Sequence, residues 1–157
     1  MPDKAITRGD FAEYITKALG LYRSNVAKNS KFTDIEKTNE LSAAITIAAD
    51  WGIIAGYPDG SFRPDAQISR EEAMTMYVRA MDIAGLVVMN NNIMEGYKDK
   101  DQISEWAYNY VKKTVSGGIF RGRTNETIDP KGTFTYAEAA VAIRNLLIKA
   151  ELINEYQ

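Results

Sequence analysis

The chain has 157 residues, 45% hydrophobic and 25% charged, with a net charge of −2 at neutral pH, and no segment reaches the apolar length that a membrane span requires. It has no Cys and no His, which removes the usual zinc, iron–sulfur, thiol and Ser–His chemistries, and its acidic balance argues against a nucleic-acid-binding protein. We therefore expect one soluble, non-catalytic domain over 1–157 without a cofactor, either cytosolic or part of a processed secreted protein, because the N-terminus lacks an apolar signal region.

The first predicted helix begins at Arg8. Its apolar residues recur at i, i+3, i+4, i+7, i+8 and i+11, which is the pattern of one helical face. Pro2 stands four residues before Ile6, a spacing that recurs later in the chain at the end of a loop. The chain is therefore expected to begin in the middle of a repeat, whose first copy occupies 1–31. The apolar residues of this first stripe are Phe11, Tyr14, Ile15, Ala18, Leu19 and Tyr22.

The second copy contains two helices joined by a tight turn. A helix is predicted from Asn39 to Trp51, ending at a glycine, which is favoured just past a helix end. The segment from Tyr57 to Gly60 suits a type I turn, with Pro at its second position and Gly at its fourth. Ser69 and Glu72 then have the spacing of a capping box, so a new helix begins at Arg70.

The third copy repeats this plan after a connecting segment. Residues 86–96 are interpreted as an exposed connector, with a short extended segment as the alternative. A helix is then predicted from Ser104 to Ser116, and another apolar stripe follows Thr133. The second and third copies occupy 32–96 and 97–157. Their stripes consist of Ala73, Met76, Tyr77, Ala80, Met81 and Ala84, and of Ala139, Ala142, Ile143, Leu146, Leu147 and Ala150.

These three equivalent stripes predict an all-α fold. Each stripe needs an apolar partner, and three of them can cover one another around a pseudo-threefold axis. Phe32 and Phe62, which lie in the loops of the second copy, are assigned to the core.

The second and third copies share a motif in their loops and helix starts. It consists of an aromatic-x-Asp opening at Phe32 to Asp34 and Tyr97 to Asp99, a glycine-rich segment from Gly52 to Pro64 in the second copy, and the helix start from Ile68 to Glu72. This motif resembles that of the S-layer homology family, and the resemblance covers nearly the whole chain.

The resemblance implies a helical spindle of three repeats around a central three-helix bundle, with the first repeat truncated here. In that family the grooves between repeats bind secondary cell-wall polysaccharide, which often carries a pyruvate ketal. The resemblance also implies an extracellular location at the bacterial cell surface. It further implies a non-catalytic module attached to a larger surface protein.

Arg8 and Arg70 are the leading candidates for ligand binding. They stand at the first position of their helices, where the helix dipole makes an exposed cation unfavourable by roughly 0.3–1 kcal/mol, so a bound anion such as a ketal carboxylate would relieve it. The alternative is pairing with the protein's own acids: Asp10, Glu71 or a carboxylate of the next repeat. We expect Arg70→Ala to weaken binding more than Arg8→Ala, because Arg8 borders the missing half-repeat.

Other candidates would contact the sugar itself. Asp34, Asp99 and Asp59 can accept hydrogen bonds from hydroxyl groups, and Trp106 can place its ring against a sugar. Each has a structural alternative, because Asp residues order turns and an aromatic ring can pack in the core. Gly56 permits backbone angles that bring the chain close to a ligand.

The third copy departs from the pattern of the first two. Tyr136 replaces the helix-start arginine, and Arg123 can move the positive charge into the turn. Glu40 stands where the family usually has Trp, which weakens a stacking role in the second copy. No metal site is predicted, because an EF-hand alignment on Gly60 puts Ala66 where the closing Glu belongs.

A competing function is a protein-interaction or lattice-assembly scaffold. It would use an apolar surface left uncovered by the truncated first repeat, because exposed apolar patches usually mark interfaces. The expected partners are therefore cell-wall polysaccharide or, on this second interpretation, another copy of the chain. The side chains assigned to that surface are Tyr108, Tyr110, Val111 and Val115.

Overall fold

The computed structural model describes residues 3–26, 29–88 and 93–151, and five α-helices account for most of its regular structure. Three short 3₁₀ turns precede the fourth helix, and no strand is present in the described ranges beyond three isolated bridges. The all-α prediction is confirmed. The helices are α1 (Arg8–Ala18), α2 (Ser42–Asp50), α3 (Arg70–Ile83), α4 (Tyr108–Ser116) and α5 (Tyr136–Lys149).

The helices α1, α3 and α5 begin where the sequence indicates, because each has a side-chain cap. Thr7 accepts a hydrogen bond from the amide of Asp10 at 3.1 Å. Ser69 and Thr135 each form a reciprocal capping box with the glutamate three residues later. The predicted starts at Arg8 and Arg70 and the predicted capping box of α3 are therefore confirmed.

The first helices of the second and third copies are shorter than predicted. The helix expected from Asn39 starts only at Ser42, because the Asn39 side chain accepts a hydrogen bond from the Leu41 amide at 2.8 Å and orders a turn instead. The helix expected from Ser104 opens as a 3₁₀ turn over Glu105–Ala107 before α4. The predicted end of α4 at Ser116 is confirmed, and α2 ends at Asp50, one residue before the predicted end. In both helices a glycine of positive φ, Gly52 or Gly118, stands two residues after the last helical residue.

The turn follows the sequence, and the connector does so in part. The Gly60 amide donates to the Tyr57 carbonyl at 2.9 Å, which closes the predicted turn, and Gly60 has a φ of 83°. Residues 86–88 contain neither helix nor strand, as expected for a connector. Residues 89–92 lie outside the described residues. At 93–96 the prediction of an exposed connector is wrong in part, because Met94–Gly96 forms a 3₁₀ turn and Met94 is only 1% exposed.

The three copies meet in a ring of backbone hydrogen bonds at their helix starts. The Ile6 amide donates to Phe134 at 2.9 Å, the Phe134 amide to Ile68 at 3.2 Å, and the Ile68 amide to Ile6 at 3.1 Å. All three side chains are buried. The cyclic order agrees with a threefold arrangement of the repeats, whereas the full spindle shape stays a prediction.

The paired helices cover one another unequally. Helix α2 packs on α1, and α4 packs on α3. At equivalent positions Ala12 of α1 and Met74 of α3 are fully buried, whereas Ala140 of α5 is exposed. Within the described ranges, no helix covers this face of α5 as α2 and α4 cover α1 and α3.

The core consists of aromatic rings surrounded by aliphatic side chains. Phe120 and Phe134 stack with their centroids 5.4 Å apart, and Tyr77 meets Phe120 edge-on at 5.1 Å. Burial raises the pKa of Tyr77, whose hydroxyl donates to the Ala142 carbonyl at 2.7 Å. Away from this cluster, the loop residues Phe32 and Phe62 stack at 5.3 Å and are buried, which confirms their assignment to the core.

The apolar surface on which the scaffold interpretation depended is not exposed. Val111 is fully buried and Val115 is 3% exposed, because α4 packs against α3. Tyr108 and Tyr110 are half-buried. The predicted patch is therefore wrong. None of the described helices is long and apolar enough to cross a bilayer.

Candidate functional site

The Arg8 guanidinium is buried against groups of the second repeat. Its Nη1 donates to Glu72 Oε1 at 2.8 Å and its Nε to the Phe62 carbonyl at 2.9 Å. The rings of Tyr57 and Phe62 lie 4.7 and 4.8 Å from the guanidinium carbon. With its side chain only 7% exposed, Arg8 pairs with a carboxylate of the next repeat, which was the alternative to ligand binding.

Arg70 occupies the equivalent position one repeat later. Its Nη1 donates to Glu138 Oε1 at 2.6 Å, its Nε to the Ile128 carbonyl at 2.8 Å and its Nη2 to the Arg121 carbonyl at 3.0 Å. Burial lowers the pKa of Arg70, and the charge of Glu138 opposes that shift. At the third helix start, Tyr136 donates to Asp10, so each copy reaches an acid of the next one in cyclic order.

The capping boxes explain why these acids face the arginines. Glu72 uses Oε2 to accept from the Ser69 amide at 2.9 Å, which leaves Oε1 for Arg8. Glu138 divides its oxygens in the same way between its own cap and Arg70. One carboxylate thus closes its own helix and joins it to the preceding repeat.

A cavity of about 380 Å³ lies beside Arg8, within the size range of small-molecule sites. We call it the Arg8 groove. It is bounded by the loop 54–58, by one face of α3 and by Trp106, whose side chain is 55% exposed. The premise that this groove lacks walls is therefore wrong. Its lining residues are Arg8, Ile54, Ala55, Gly56, Tyr57, Pro58, Glu72, Thr75, Met76, Arg79 and Trp106.

The charges in the Arg8 groove do not balance. Glu72 already accepts from Arg8, from the Ser69 amide and from the Tyr57 hydroxyl at 2.9 Å. Burial raises the pKa of Tyr57, which keeps this phenol neutral and donating. Arg79 adds a second positive charge, and no carboxylate among the described side chains pairs with it.

Arg79 and Thr75 are groove residues that sequence reasoning missed. A signal was present, since Glu72, Thr75, Met76 and Arg79 are spaced i, i+3, i+4 and i+7 and so share one face of α3. The stripe used for the core prediction overlaps this face only at Met76, and the spacing alone does not show which face borders a loop of the same copy.

A second cavity, of about 330 Å³, lies beside Arg70. We call it the Arg70 groove. Arg123 borders it, donating to Glu138 at 3.0 Å and to the Thr133 carbonyl at 2.8 Å, so Glu138 serves two arginines. No tryptophan lines it, and Val141 is 60% exposed. Its lining residues are Arg70, Ile119, Arg121, Gly122, Arg123, Ala137, Glu138, Val141, Ala142 and Asn145.

Asp34 and Asp99 lie in neither lining and hold loops together. Asp34 accepts from the amides of Phe62 at 2.8 Å and Arg63 at 2.7 Å. Asp99 accepts from the amides of Ile128 at 2.8 Å and Asp129 at 2.7 Å. Each carboxylate therefore fixes the loop next to a non-glycine residue of positive φ, Arg63 or Asp129.

Asp59 and Gly56 also have local structural roles. Hydrogen bonds from the Ser61 hydroxyl and amide, with the Arg63 guanidinium, lower the pKa of Asp59 to about 2, and Asp59 does not line either groove. Gly56 does line the Arg8 groove. A Cβ there would lie 2.6 Å from the Phe32 ring and 2.7 Å from the Ser61 carbonyl, so glycine is required by close packing.

The structure thus sorts the predicted site residues into three sets. Arg8, Gly56 and Trp106 meet in the Arg8 groove, together with Tyr57. Arg70 and Arg123 meet in the Arg70 groove. The three aspartates, Asp34, Asp59 and Asp99, belong to the loops outside both linings.

Comparison with known proteins gives one consistent result. A family model described as the S-layer homology domain matches residues 31–74 and 92–140. A cellulosome-anchoring protein of Acetivibrio thermocellus is 29% identical over 153 residues, which is 96% of this chain and 34% of that protein. Exoglucanase XynX of the same organism is 35% identical over 150 residues, 95% of this chain and 13% of the enzyme. A surface layer protein of Brevibacillus choshinensis is 40% identical over 81 residues, 50% of this chain and 7% of that protein.

The chain spans about a third or less of the length of these relatives. They are named as an anchoring protein, an enzyme and a surface layer protein, so the segment similar to this chain occurs in proteins with different names and functions.

Proposed function

We propose a function from the following premise: this chain belongs to the S-layer homology domain family. The proposed function is that of a non-catalytic module that attaches a larger protein to the bacterial cell wall. The relatives support this proposal, since proteins named as an enzyme and as a surface layer protein both contain a segment similar to this chain. The module is accordingly extracellular, at the cell surface, and its partner is cell-wall polysaccharide.

The finer proposal is that the polysaccharide binds in the Arg8 groove. The observation that carries it is Trp106, a 55% exposed indole in a cavity that also contains Tyr57 and the backbone of Gly56. A large exposed ring is unfavourable in water and offers an apolar face to a sugar, while Tyr57 and the loop backbone supply polar groups. Neither the Trp106 ring nor the Tyr57 ring belongs to the hydrophobic core.

The second part of the finer proposal is that the bound sugar is acidic, as a pyruvate ketal would make it. Two arginines line the Arg8 groove against one glutamate, so the cavity is positively charged. An acidic sugar supplies the missing negative charge, and a carboxylate fits the planar donors of a guanidinium.

Isothermal titration calorimetry with purified secondary cell-wall polysaccharide, native and chemically depyruvylated, tests both parts. We expect the native polymer to bind more tightly. Trp106→Ala should weaken binding of both polymers by about tenfold, the loss of about 1.4 kcal/mol that one stacked ring supplies. The matched control is Trp51→Ala, since Trp51 is 54% exposed and lies outside both groove linings.

The outcomes separate the two parts of the proposal. Failure of the wild-type protein to bind either polymer would contradict the anchoring function. Equal binding of both polymers would contradict only the acidic sugar. Equal losses for Trp106→Ala and Trp51→Ala would remove the Arg8 groove as the binding site.

A further inference from the structure

We propose that Arg79, and not the helix-start Arg8, supplies the positive charge that recognises the acidic group of the sugar in the Arg8 groove. This inference rests on the proposed function and adds a specificity-determining residue to it. It follows from three observations: the charge of Arg8 is already used, that of Arg79 is not, and the equivalent positions in the other repeats lack a free cation.

The charge of Arg8 is satisfied inside the protein. Its side chain is 7% exposed and ion-paired with Glu72 at 2.8 Å, between the rings of Tyr57 and Phe62. Turning Arg8 toward a ligand would leave the carboxylate of Glu72 without its partner in a partly buried position, which is strongly unfavourable. Arg8 therefore builds the wall of the groove and holds Glu72 and Tyr57 in place.

The charge of Arg79 is available to a ligand. Arg79 lies on α3, two turns after Glu72, in the same cavity lining. Its one described hydrogen bond is long, from Nη1 to the Ile53 carbonyl at 3.5 Å, and its other contact is the Tyr110 ring at 5.4 Å. Within the described part of the chain no acid neutralises it. A guanidinium supported on one side by a ring keeps its edge donors for a carboxylate.

The equivalent residues of the other repeats show that the fold does not need this charge. In α5 the position is Asn145, whose side-chain amide donates to the Ile119 carbonyl at 3.4 Å, the counterpart of the Arg79 contact with Ile53. In α1 it is Lys17, which is paired with Glu13 at 2.7 Å. A neutral amide makes the same backbone contact, so the charge at this position of α3 is not needed to hold the helix against the loop.

The ligand group is a carboxylate of an acidic sugar, and the experiment distinguishes a ketal carboxylate from any other. Calorimetry is carried out with native and depyruvylated wall polysaccharide on the wild type, Arg79→Gln and Arg79→Lys. The matched control is Lys113→Gln, which also removes one positive charge but from the exposed side of α4, where Lys113 lies 3.7 Å from Asp82.

We expect Arg79→Gln to lose about tenfold or more in affinity for the native polymer, the size of one charge-assisted hydrogen bond, with no comparable loss for the depyruvylated polymer. Arg79→Lys should keep part of the preference because it keeps the charge but not the planar fork. Lys113→Gln should bind like the wild type. The salt dependence of native binding should also become weaker in Arg79→Gln.

The inference is overturned if Arg79→Gln keeps the wild-type preference for the native polymer, or if Lys113→Gln loses as much as Arg79→Gln. Losses of equal size for both polymers would also overturn it, because they would show a structural role. These results leave the anchoring function standing, whereas absence of all binding in the wild type would contradict the anchoring function itself. A denaturation midpoint measured for each variant confirms that the folded protein is being compared.

Discussion

The Arg8 groove and the Arg70 groove start from the same construction and end with different surfaces. Both are built on a helix-start arginine that pairs with the capping glutamate of the next repeat. The Arg8 groove adds Trp106 and Arg79, whereas the Arg70 groove has no tryptophan, has Asn145 at the position of Arg79, and takes its further arginines from the loop at Arg121 and Arg123. The difference teaches that the repeat supplies a rigid frame, and residues that vary between repeats decide what the frame can bind.

The two grooves also differ in how their acid is used. Glu72 balances one buried arginine, but Glu138 accepts from both Arg70 and Arg123. The lining of the Arg70 groove is also more exposed at one equivalent position, since Val141 is 60% exposed whereas Thr75 in the Arg8 groove is buried. We therefore interpret the Arg70 groove mainly as a structural contact, in which Arg70 and Glu138 hold the second and third repeats together.

The largest expected effect is on stability. Glu138→Ala should lower the free energy of unfolding by about 3–5 kcal/mol, because it leaves Arg70, only 3% exposed, without its partner and removes a helix cap. Glu72→Ala should cost less, since Glu72 pairs with one arginine whereas Glu138 pairs with two, of which Arg123 keeps Asp129 as a partner. Urea denaturation measures both variants.

The control for this experiment is Glu126→Ala, which breaks an exposed ion pair with Lys98 and should change stability by about 0–1 kcal/mol. A larger loss in Glu72→Ala than in Glu138→Ala would show that the ion pair of Arg8 contributes more to the free energy of unfolding than that of Arg70, contrary to our interpretation.

The next effect compares the glycines that bring each loop against an aromatic ring. Gly56→Ala should destabilise the protein by about 1–3 kcal/mol, because its Cβ would meet the Phe32 ring at 2.6 Å. Gly122→Ala should lose at least as much, since two backbone carbonyls lie 2.5 Å from its Cβ and cannot rotate away as a side chain can. Thermal denaturation is the measurement.

Gly96→Ala is the matched control, because no atom lies within 4 Å of the added Cβ. It should be close to neutral. If Gly56→Ala were equally neutral, the loop of the Arg8 groove would have to be deformable, and its geometry could not be treated as a fixed frame.

A smaller effect is expected at the third helix start, where Tyr136 and Asp10 replace the arginine and glutamate. The hydrogen bond to Asp10 and, to a smaller extent, burial raise the pKa of Tyr136 from 10.0 to about 12. A group with a raised pKa contributes stability that is complete below pH 10 and is lost as the pH rises toward 12. The difference in ultraviolet titration between wild type and Tyr136→Phe measures this pKa, and Asp10→Asn should bring it back toward 10. An unshifted pKa would mean that the hydrogen bond between Tyr136 and Asp10 does not form in solution.

The smallest expected effect tests which groove binds. Val141→Glu places a negative charge in the Arg70 groove at a residue that is 60% exposed. Affinity for native wall polysaccharide should change less than about twofold, which corresponds to about 0.4 kcal/mol, because the proposed binding site is the Arg8 groove. A loss as large as that of Arg79→Gln would show that an acidic sugar also occupies the Arg70 groove.

The sequence allowed the local features of the fold to be predicted, because they depend on neighbours in the chain. The Ser69 and Glu72 spacing identifies the start of α3, and the turn at Tyr57 to Gly60 depends on the backbone preferences of Pro and Gly. The late start of α2 was missed, since Asn39 can either cap a helix or order a turn, and its conformation decides which.

The site was harder to predict because its contacts cross between repeats. The two partners Arg8 and Glu72 are 64 residues apart, and the sequence could name only an acid of the next repeat in general terms. The ranking of Arg70 above Arg8 stays a prediction, but the reason given for it, that walls are absent beside Arg8, was wrong. Apart from Arg8 itself, the residues that line the Arg8 groove come from the second and third copies.

The ring of backbone hydrogen bonds through Ile6, Ile68 and Phe134 has a consequence for how the molecule is made. The bond from Ile6 to Phe134 joins residues 128 positions apart, so it cannot form until residue 134 has been synthesised. Contacts between residues so far apart in sequence form more slowly than local helices. Closure of the ring therefore waits for the third copy, and a chain interrupted before residue 134 leaves the Ile6 amide without this partner.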